Sequence, residues 1–175
     1  MCIRDRIGHV IERLAPQCGP LAINANGDPA RFAGFGLPVL ADPVADWPGP
    51  LAGVLAGMDW AAAQGARAVV SAAADTPFFP ADLVARLTEA GAFALAATPD
   101  ETGRLRPQPT FGLWPVALRG ALAQALAAGQ RRVAEWALAE GAQLVAFDAA
   151  PFFNINTPQD LAAAEARLAG RTPPP

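Results

Sequence analysis

The stretch Ala68-Val69-Val70-Ser71-Ala72-Ala73-Ala74-Asp75-Thr76-Pro77 sets the architecture of this 175-residue chain. A run of small apolar residues ends abruptly in a carboxylate, and Pro77 and Pro80 stop the segment before an amphipathic stretch near Asp82. An unbroken apolar run of this length is expected of a strand buried on both faces, as in a parallel sheet covered by helices. Ligands of such sheets bind beyond the carboxyl ends of the strands. Asp75 is therefore expected on the floor of a crevice, where a carboxylate can hold a hard cation such as Mg2+ against phosphate oxygens. The plainer alternative is that Asp75 only caps the helix that follows.

The segments before this stretch repeat its pattern. Leu21-Ala22-Ile23 runs into Asn24-Ala25-Asn26-Gly27-Asp28, and Leu37-Pro38-Val39-Leu40-Ala41 runs into Asp42. Ile7, Val10, Ile11 and Leu14 share one helical face, as do Leu51, Val54, Leu55 and Met58. Asp28 before Pro29 is a helix start, and Gly34, Gly36 and Gly65 are stops. Helices and strands thus alternate, which implies right-handed crossovers and a mainly parallel sheet. Each polar ending, at Asn24, Asp42 and Asp75, is by itself an ordinary turn residue or cap. Three of them along one sheet edge would build a polar rim around a ligand.

The later half is less regular. Leu83, Val84 and Leu87 mark a helix, Phe93–Thr98 a strand and Pro99–Arg106 a polar loop. Pro109–Pro115 reads as a strand whose prolines place it at an edge or at a bulge. Val116–Ala128 is helical, and Arg131 and Arg132 open a helix with Val133 and Trp136 inward. Paired arginines usually form a solvated face; at a helix start they also suit an anion. Leu144–Phe147 is the last strand. In Asn154-Ile155-Asn156-Thr157-Pro158-Gln159-Asp160, capping accounts for Thr157, Pro158 and Asp160 but leaves the two asparagines unexplained.

Composition narrows the classes. A net charge of −3 argues against a broad nucleic-acid face. No apolar run reaches membrane-spanning length and no signal peptide is legible, so the cytoplasm is the default. Cys2 and Cys18 have no metal or redox spacing, and His9 stands off the apolar face of its segment. All 13 basic residues are arginine, which excludes a phosphate loop built on lysine. Hydrophobic residues make up 53% of the chain, many of them alanine, so a core packed closely with small side chains is expected. The organisation expected is a patternless start at 1–6, a single domain at 7–169 and a disordered tail at 170–175.

Taken together, Ile23-Asn24-Ala25-Asn26-Gly27, Leu40-Ala41-Asp42, Pro48-Gly49-Pro50-Leu51-Ala52-Gly53, Asp75-Thr76-Pro77, Gly129-Gln130-Arg131-Arg132-Val133 and Phe153-Asn154-Ile155-Asn156-Thr157-Pro158 resemble the molybdenum cofactor guanylyltransferases. The matches run in family order from about Gly8 to Leu168. The resemblance implies an α/β, three-layer, Rossmann-like nucleotidyltransferase fold with a mainly parallel sheet. It implies that GMP passes from GTP to the terminal phosphate of molybdopterin, with pyrophosphate leaving. Asn24 and Asp42 would contact GTP, and Asp75 both GTP and Mg2+. Asn154 and Asn156 would lie on the pterin side, with Arg131 and Arg132 similar to a family arginine pair. Molybdoenzyme maturation proteins are the implied protein partners, with no nucleic acid and no membrane.

Two departures accompany the resemblance. Gln108 stands where many relatives carry histidine before proline. The family's first strand and its glycine-rich loop, with an arginine and a lysine over the triphosphate, have no counterpart at Met1–Arg6. The missing strand is expected to be a central one. A pterin cytidylyltransferase, a sugar-nucleotide pyrophosphorylase and a non-catalytic remnant that binds only pterin are the rival readings.

Overall fold

The computed structural model describes residues 3–43, 49–155 and 160. Helix α1 (Ile3–Leu14) already begins within the stretch that reads as patternless, because Ile7, Val10 and Leu14 give it one buried face. Pro16 ends it in a short 3-10 turn, Ala15–Gln17. Strand β1 (Ile23–Asn24) pairs in parallel with β2 (Val39–Leu40). Between them, Pro29–Phe35 winds as a 3-10 helix capped by Asp28, whose carboxylate accepts from the Ala30 N–H at 2.9 Å.

Helix α2 (Pro50–Ala63) starts after Gly49, whose φ of 86° suits glycine, with proline in its first turn. It leads into β3 (Ala68–Ser71). Then come α3 (Leu83–Ala90), β4 (Ala94–Pro99), β5 (Leu105–Pro115), α4 (Arg119–Ala127), α5 (Val133–Ala139) and β6 (Gln143–Ala146).

The second sheet has the order β3-β5-β4-β6. Strands β4 and β6 are parallel, while β5 runs antiparallel to both β3 and β4. The proline-bearing strand is thus interior, not at an edge. It is tolerated there through a bulge: the β4 register passes from Leu95↔Gly112 to Ala97↔Pro107, so Pro109 falls where the ladder is interrupted.

Helices cover both faces of this sheet, giving three layers. Leu95 and Trp114 point into one core with Leu51, Met58, Leu122, Leu126, Val133 and Trp136. Their strand neighbours Ala94, Ala96, Phe111 and Leu113 point into the other, with Val10, Leu14, Phe79, Leu83 and Leu87. The period of two along β4 and β5 serves both layers at once. Alanine supplies the close approach within β4, but Trp114, Phe79 and Phe111 are among the largest fully buried side chains, so the core is not built of small residues alone. Each large apolar side chain fully withdrawn from water contributes about 1.5–3 kcal/mol.

Two expectations are corrected. The strand Ala68–Asp75 ends at Ser71, and its residues are half-buried rather than buried on both faces. The reason is lateral. Among the described residues β3 pairs only with β5 and β1 only with β2, so the strands form two sheets instead of one. Between them lies a largely apolar cavity of about 1020 Å3. Its walls include Ile7, Val10 and Leu14 of α1, Ile23 of β1, Val54 of α2 and Val69 of β3. The segments 156–159 and 161–175, which hold the expected capping motif and tail, lie outside the described residues.

Candidate active site

Asn24 and Asp42 leave the ends of β1 and β2, and parallel pairing brings their side chains together. The Asn24 amide Nδ2 donates to Asp42 Oδ1 at 2.9 Å and to the Leu40 carbonyl at 3.0 Å. A carbonyl can only accept, so this contact fixes the amide's orientation. Both donors of Asn24 are spent, and its Oδ1 remains as an acceptor. Asn26 grips Asp42 from the other side. Its Oδ1 accepts from the Asp42 N–H at 2.9 Å, and its Nδ2 donates to Asp42 Oδ2 at 2.8 Å. Two residues apart on an extended chain, Asn24 and Asn26 point the same way and close on one carboxylate.

Gly53, in the first turn of α2, is the floor beneath Asn24. A Cβ placed there would lie 2.2 Å from Asn24 Oδ1. The glycine at the end of Gly49-Pro50-Leu51-Ala52-Gly53 therefore makes room for the amide.

Asp75 follows Ala72–Ala74 in a turn beyond β3. It does not cap the next helix, which starts at Leu83 with Asp82 at the capping position. That helix receives its outside bond from Gln17, whose Oε1 accepts from the Val84 N–H at 3.0 Å. The Thr76 hydroxyl, with the residue 1% exposed, lies 3.1 Å from Asp75 Oδ1 and 2.6 Å from Asn154 Oδ1. One hydroxyl carries one proton, so it donates to one of these oxygens at a time. The Ile155 N–H donates to the Asp75 carbonyl at 2.8 Å, and the Arg6 guanidinium donates to the Ile155 carbonyl. The carboxyl-terminal segment is thereby tied to the Asp75 turn and to α1.

Asn24, Asp75 and Asn154 all line the cavity between the sheets, together with Gln108. The Gln108 amide donates to the Thr98 hydroxyl at 3.0 Å, which fixes it against β4. Asp42 is half-buried and stands behind Asn24 rather than in the cavity wall. Asn156 lies outside the described residues.

The arginine pair does not join this group. Arg131 donates to the carbonyls of Leu126 and Gln130, where it caps the end of α4, and Arg132 pairs with Glu135 at 3.1 Å. Neither lines the cavity, and the paired arginines serve helix ends. The described lining residues include no basic side chain at all.

Asn26, Thr76 and Gly53 were not singled out as site residues by sequence. Asn26 sits within a quoted motif, two residues from Asn24, and that spacing is the signal that could have found it. Thr76 and Gly53 also sit within matching stretches, but the partners they meet, Asn154 and Asn24, are distant in the chain and no local pattern names them.

Among the described residues no three His, Cys, Asp or Glu side chains gather to cage a metal. A lone carboxylate in a cavity wall suits Mg2+ of the kind that is held by one or two carboxylates plus substrate phosphates and water. Asp75 Oδ2 has no hydrogen-bond partner among the described residues and is available for that contact.

The fold is a three-layer α/β sandwich of the nucleotidyltransferase kind, with Asn24, Asp75 and Asn154 at one cavity and Asp42 behind Asn24. Residues 4–145 match the model of the MobA-like NTP transferase domain. The chain is 50% identical over 176 residues to the molybdenum cofactor guanylyltransferase of Rhodopseudomonas palustris strain BisB5, covering 93% of this chain and 80% of that protein. It is 54% identical over 166 residues to the one from Cereibacter sphaeroides, covering 94% and 83%. The solved structure of molybdopterin-guanine dinucleotide biosynthesis protein A from Archaeoglobus fulgidus shares the fold, with a TM-score of 0.64 at 22% identity over 94% of this chain and 86% of that one. The chain belongs to the molybdenum cofactor guanylyltransferase family, an enzyme family of molybdenum cofactor biosynthesis. No helix among the described residues is long and apolar enough to cross a membrane.

Proposed function

We propose that the chain transfers GMP from GTP to the terminal phosphate of molybdopterin and releases pyrophosphate, in the cytoplasm. The observation that carries this reading is that Asn24, which holds Asp42, and Asp75 open onto one cavity. Guanine offers its N1–H and N2–H2 donors side by side. Asp42 keeps lone pairs beyond the two bonds it accepts from Asn24 and Asn26, and the Asn24 Oδ1 is a further acceptor. Cytosine would meet these acceptors with its own N3 acceptor, which favours GTP.

Asp75 is the residue that would hold Mg2+, and Thr76 and the Ile155 N–H fix the turn that carries it. When bound, the cation offsets charge on the triphosphate. The protein's share is positioning: Asn24 and Asp42 orient the base, and Asn154, linked to Asp75 through Thr76, is a pterin-side contact. In-line attack by the pterin phosphate oxygen forms the new P–O bond at the α-phosphorus, and the bond to pyrophosphate breaks. No nucleophilic side chain is needed.

Equilibrium titration of GTP, CTP and molybdopterin, each with and without Mg2+, tests the reading. GTP is expected to bind more tightly than CTP, with a Mg2+ requirement that Asp75→Ala removes. CTP binding as well as GTP would favour a cytidylyltransferase. One observation favours a second reading: a cavity with no basic side chain among its described lining residues is a weak seat for a triphosphate. Molybdopterin binding without any GTP binding would establish a pterin-binding protein that does not transfer nucleotide.

A further inference from the structure

We propose that Asn26 is a positioning residue that sets base selectivity by locking the Asp42 carboxylate in the orientation that accepts two donors from guanine. This rests on the reading of Asp42 as the base contact and extends it.

A carboxylate held at one oxygen still turns about that contact. Asp42 is held at both, through Asn24 Nδ2 at 2.9 Å on Oδ1 and Asn26 Nδ2 at 2.8 Å on Oδ2. The two clamps differ in how they are anchored. Asn24 is fixed by the Leu40 carbonyl, one strand end away. Asn26 is fixed by the backbone of Asp42 itself, through the 2.9 Å bond from the Asp42 N–H. That N–H can only donate, so Asn26 must turn its oxygen to the backbone and its NH2 to the carboxylate. The side chain and main chain of Asp42 are thereby closed into one ring with the Asn26 amide. Each of the two oxygens accepts one of these bonds and keeps lone-pair capacity for one donor of a paired-donor edge. A site prepared for two donors rejects a base that lacks one, because an acceptor is left unpaired.

Two substitutions separate positioning from mere loop support. Asn26→Asp keeps an acceptor for the Asp42 N–H but replaces the donor that faces Oδ2. Asn26→Ala removes both contacts. The double variant Asn26→Asp/Asp42→Asn restores an amide–carboxylate pair with the roles exchanged. Each is titrated with GTP and with ITP, which lacks the N2 amino group, and each is melted to check folding.

Wild type is expected to favour GTP over ITP about tenfold, and Asn26→Asp to bring that ratio to about one without a matching loss of ITP binding. The double variant is expected to recover the melting temperature but not the selectivity. A GTP/ITP ratio in Asn26→Asp and Asn26→Ala equal to that of wild type overturns the role of Asn26 while leaving Asp42 in place. A wild-type ratio near one removes Asp42 as reader of the amino group, and the proposal with it. Absence of any guanine-nucleotide binding by wild type overturns the function proposed above as well.

Discussion

Gly53→Ala is the sharpest test of the Asn24–Asp42 arrangement, because it adds one methyl group and no charge. The new Cβ would lie 2.2 Å from Asn24 Oδ1 and 3.0 Å from its Cγ. To reach an ordinary contact of 3.4 Å, the amide oxygen must retreat by about 1.2 Å. The two bonds that Asn24 donates, at 2.9 Å and 3.0 Å, do not survive a displacement of that size. Losing a neutral hydrogen bond costs about 1 kcal/mol and one to a charged group about 1.5–3 kcal/mol, less at an exposed position such as Asn24. Against this, alanine gains about 1 kcal/mol over glycine inside a helix. The net change in stability is therefore at most about 2 kcal/mol, or roughly 4–8 °C in melting temperature for a chain of this size. GTP binding loses its oriented amide and its anchored carboxylate together, and is expected to weaken at least tenfold, on the order of 1.4 kcal/mol. The control is Gly57→Ala, one turn further along α2, whose Cβ would meet Val69 Cγ2 at an ordinary 3.7 Å. It should gain about 0.5–1 kcal/mol and leave GTP binding unchanged. Thermal melts and calorimetric titration of all three proteins decide the matter. Unaltered GTP affinity in Gly53→Ala would refute the assignment of Asn24 to the nucleotide.

Other expectations follow from single contacts. A Cβ at Gly112 would meet Leu95 Cδ2 and Trp114 Cζ2 at 2.7 Å, both in the core, so Gly112→Ala should lose about 1–3 kcal/mol in a denaturant titration. Thr76→Val keeps the shape of a buried residue and removes the link between Asp75 and Asn154. Its melting temperature should fall by only a few degrees, about 1 kcal/mol, while the Mg2+ concentration needed for GTP binding rises several-fold. The Thr102 hydroxyl and the Arg106 guanidinium hold the Asp100 carboxyl well below the usual carboxylate range at the β4–β5 turn. A depressed folded-state value stabilises the fold above the unfolded value of about 3.9 and loses that contribution as pH falls below it. Asp100→Asn should therefore lower stability at neutral pH and flatten its decline below about pH 4, measured as melting temperature against pH.

Much of the site was written in local order. The apolar runs before Asn24 and Asp42 mark β1 and β2 in their own right, because chain direction and turn chemistry are near-neighbour properties, whereas β3 stops at Ser71, four residues short of Asp75. The helical faces at Ile7–Leu14 and Leu51–Met58 were legible for the same reason, and the family motifs spanned the same residues. Arg131 and Arg132 show the limit: the same local pattern fits an anion site and a solvated face, and only the structure turns Arg131 to the Leu126 and Gln130 carbonyls and Arg132 to Glu135.

What the chain's own order determined, then, was the alternation of helices and strands and the identity of the polar tips. Tertiary structure alone decided that β5 runs antiparallel inside the sheet, that a cavity divides β1 from β3, and which partners Asn26, Thr76 and Gly53 meet at the candidate site. The physical reason is range. Strand ends and caps are set by residues a few positions apart, whereas Gly53 matters only because Asn24 lies over it, and Thr76 because Asn154 arrives from 78 residues away.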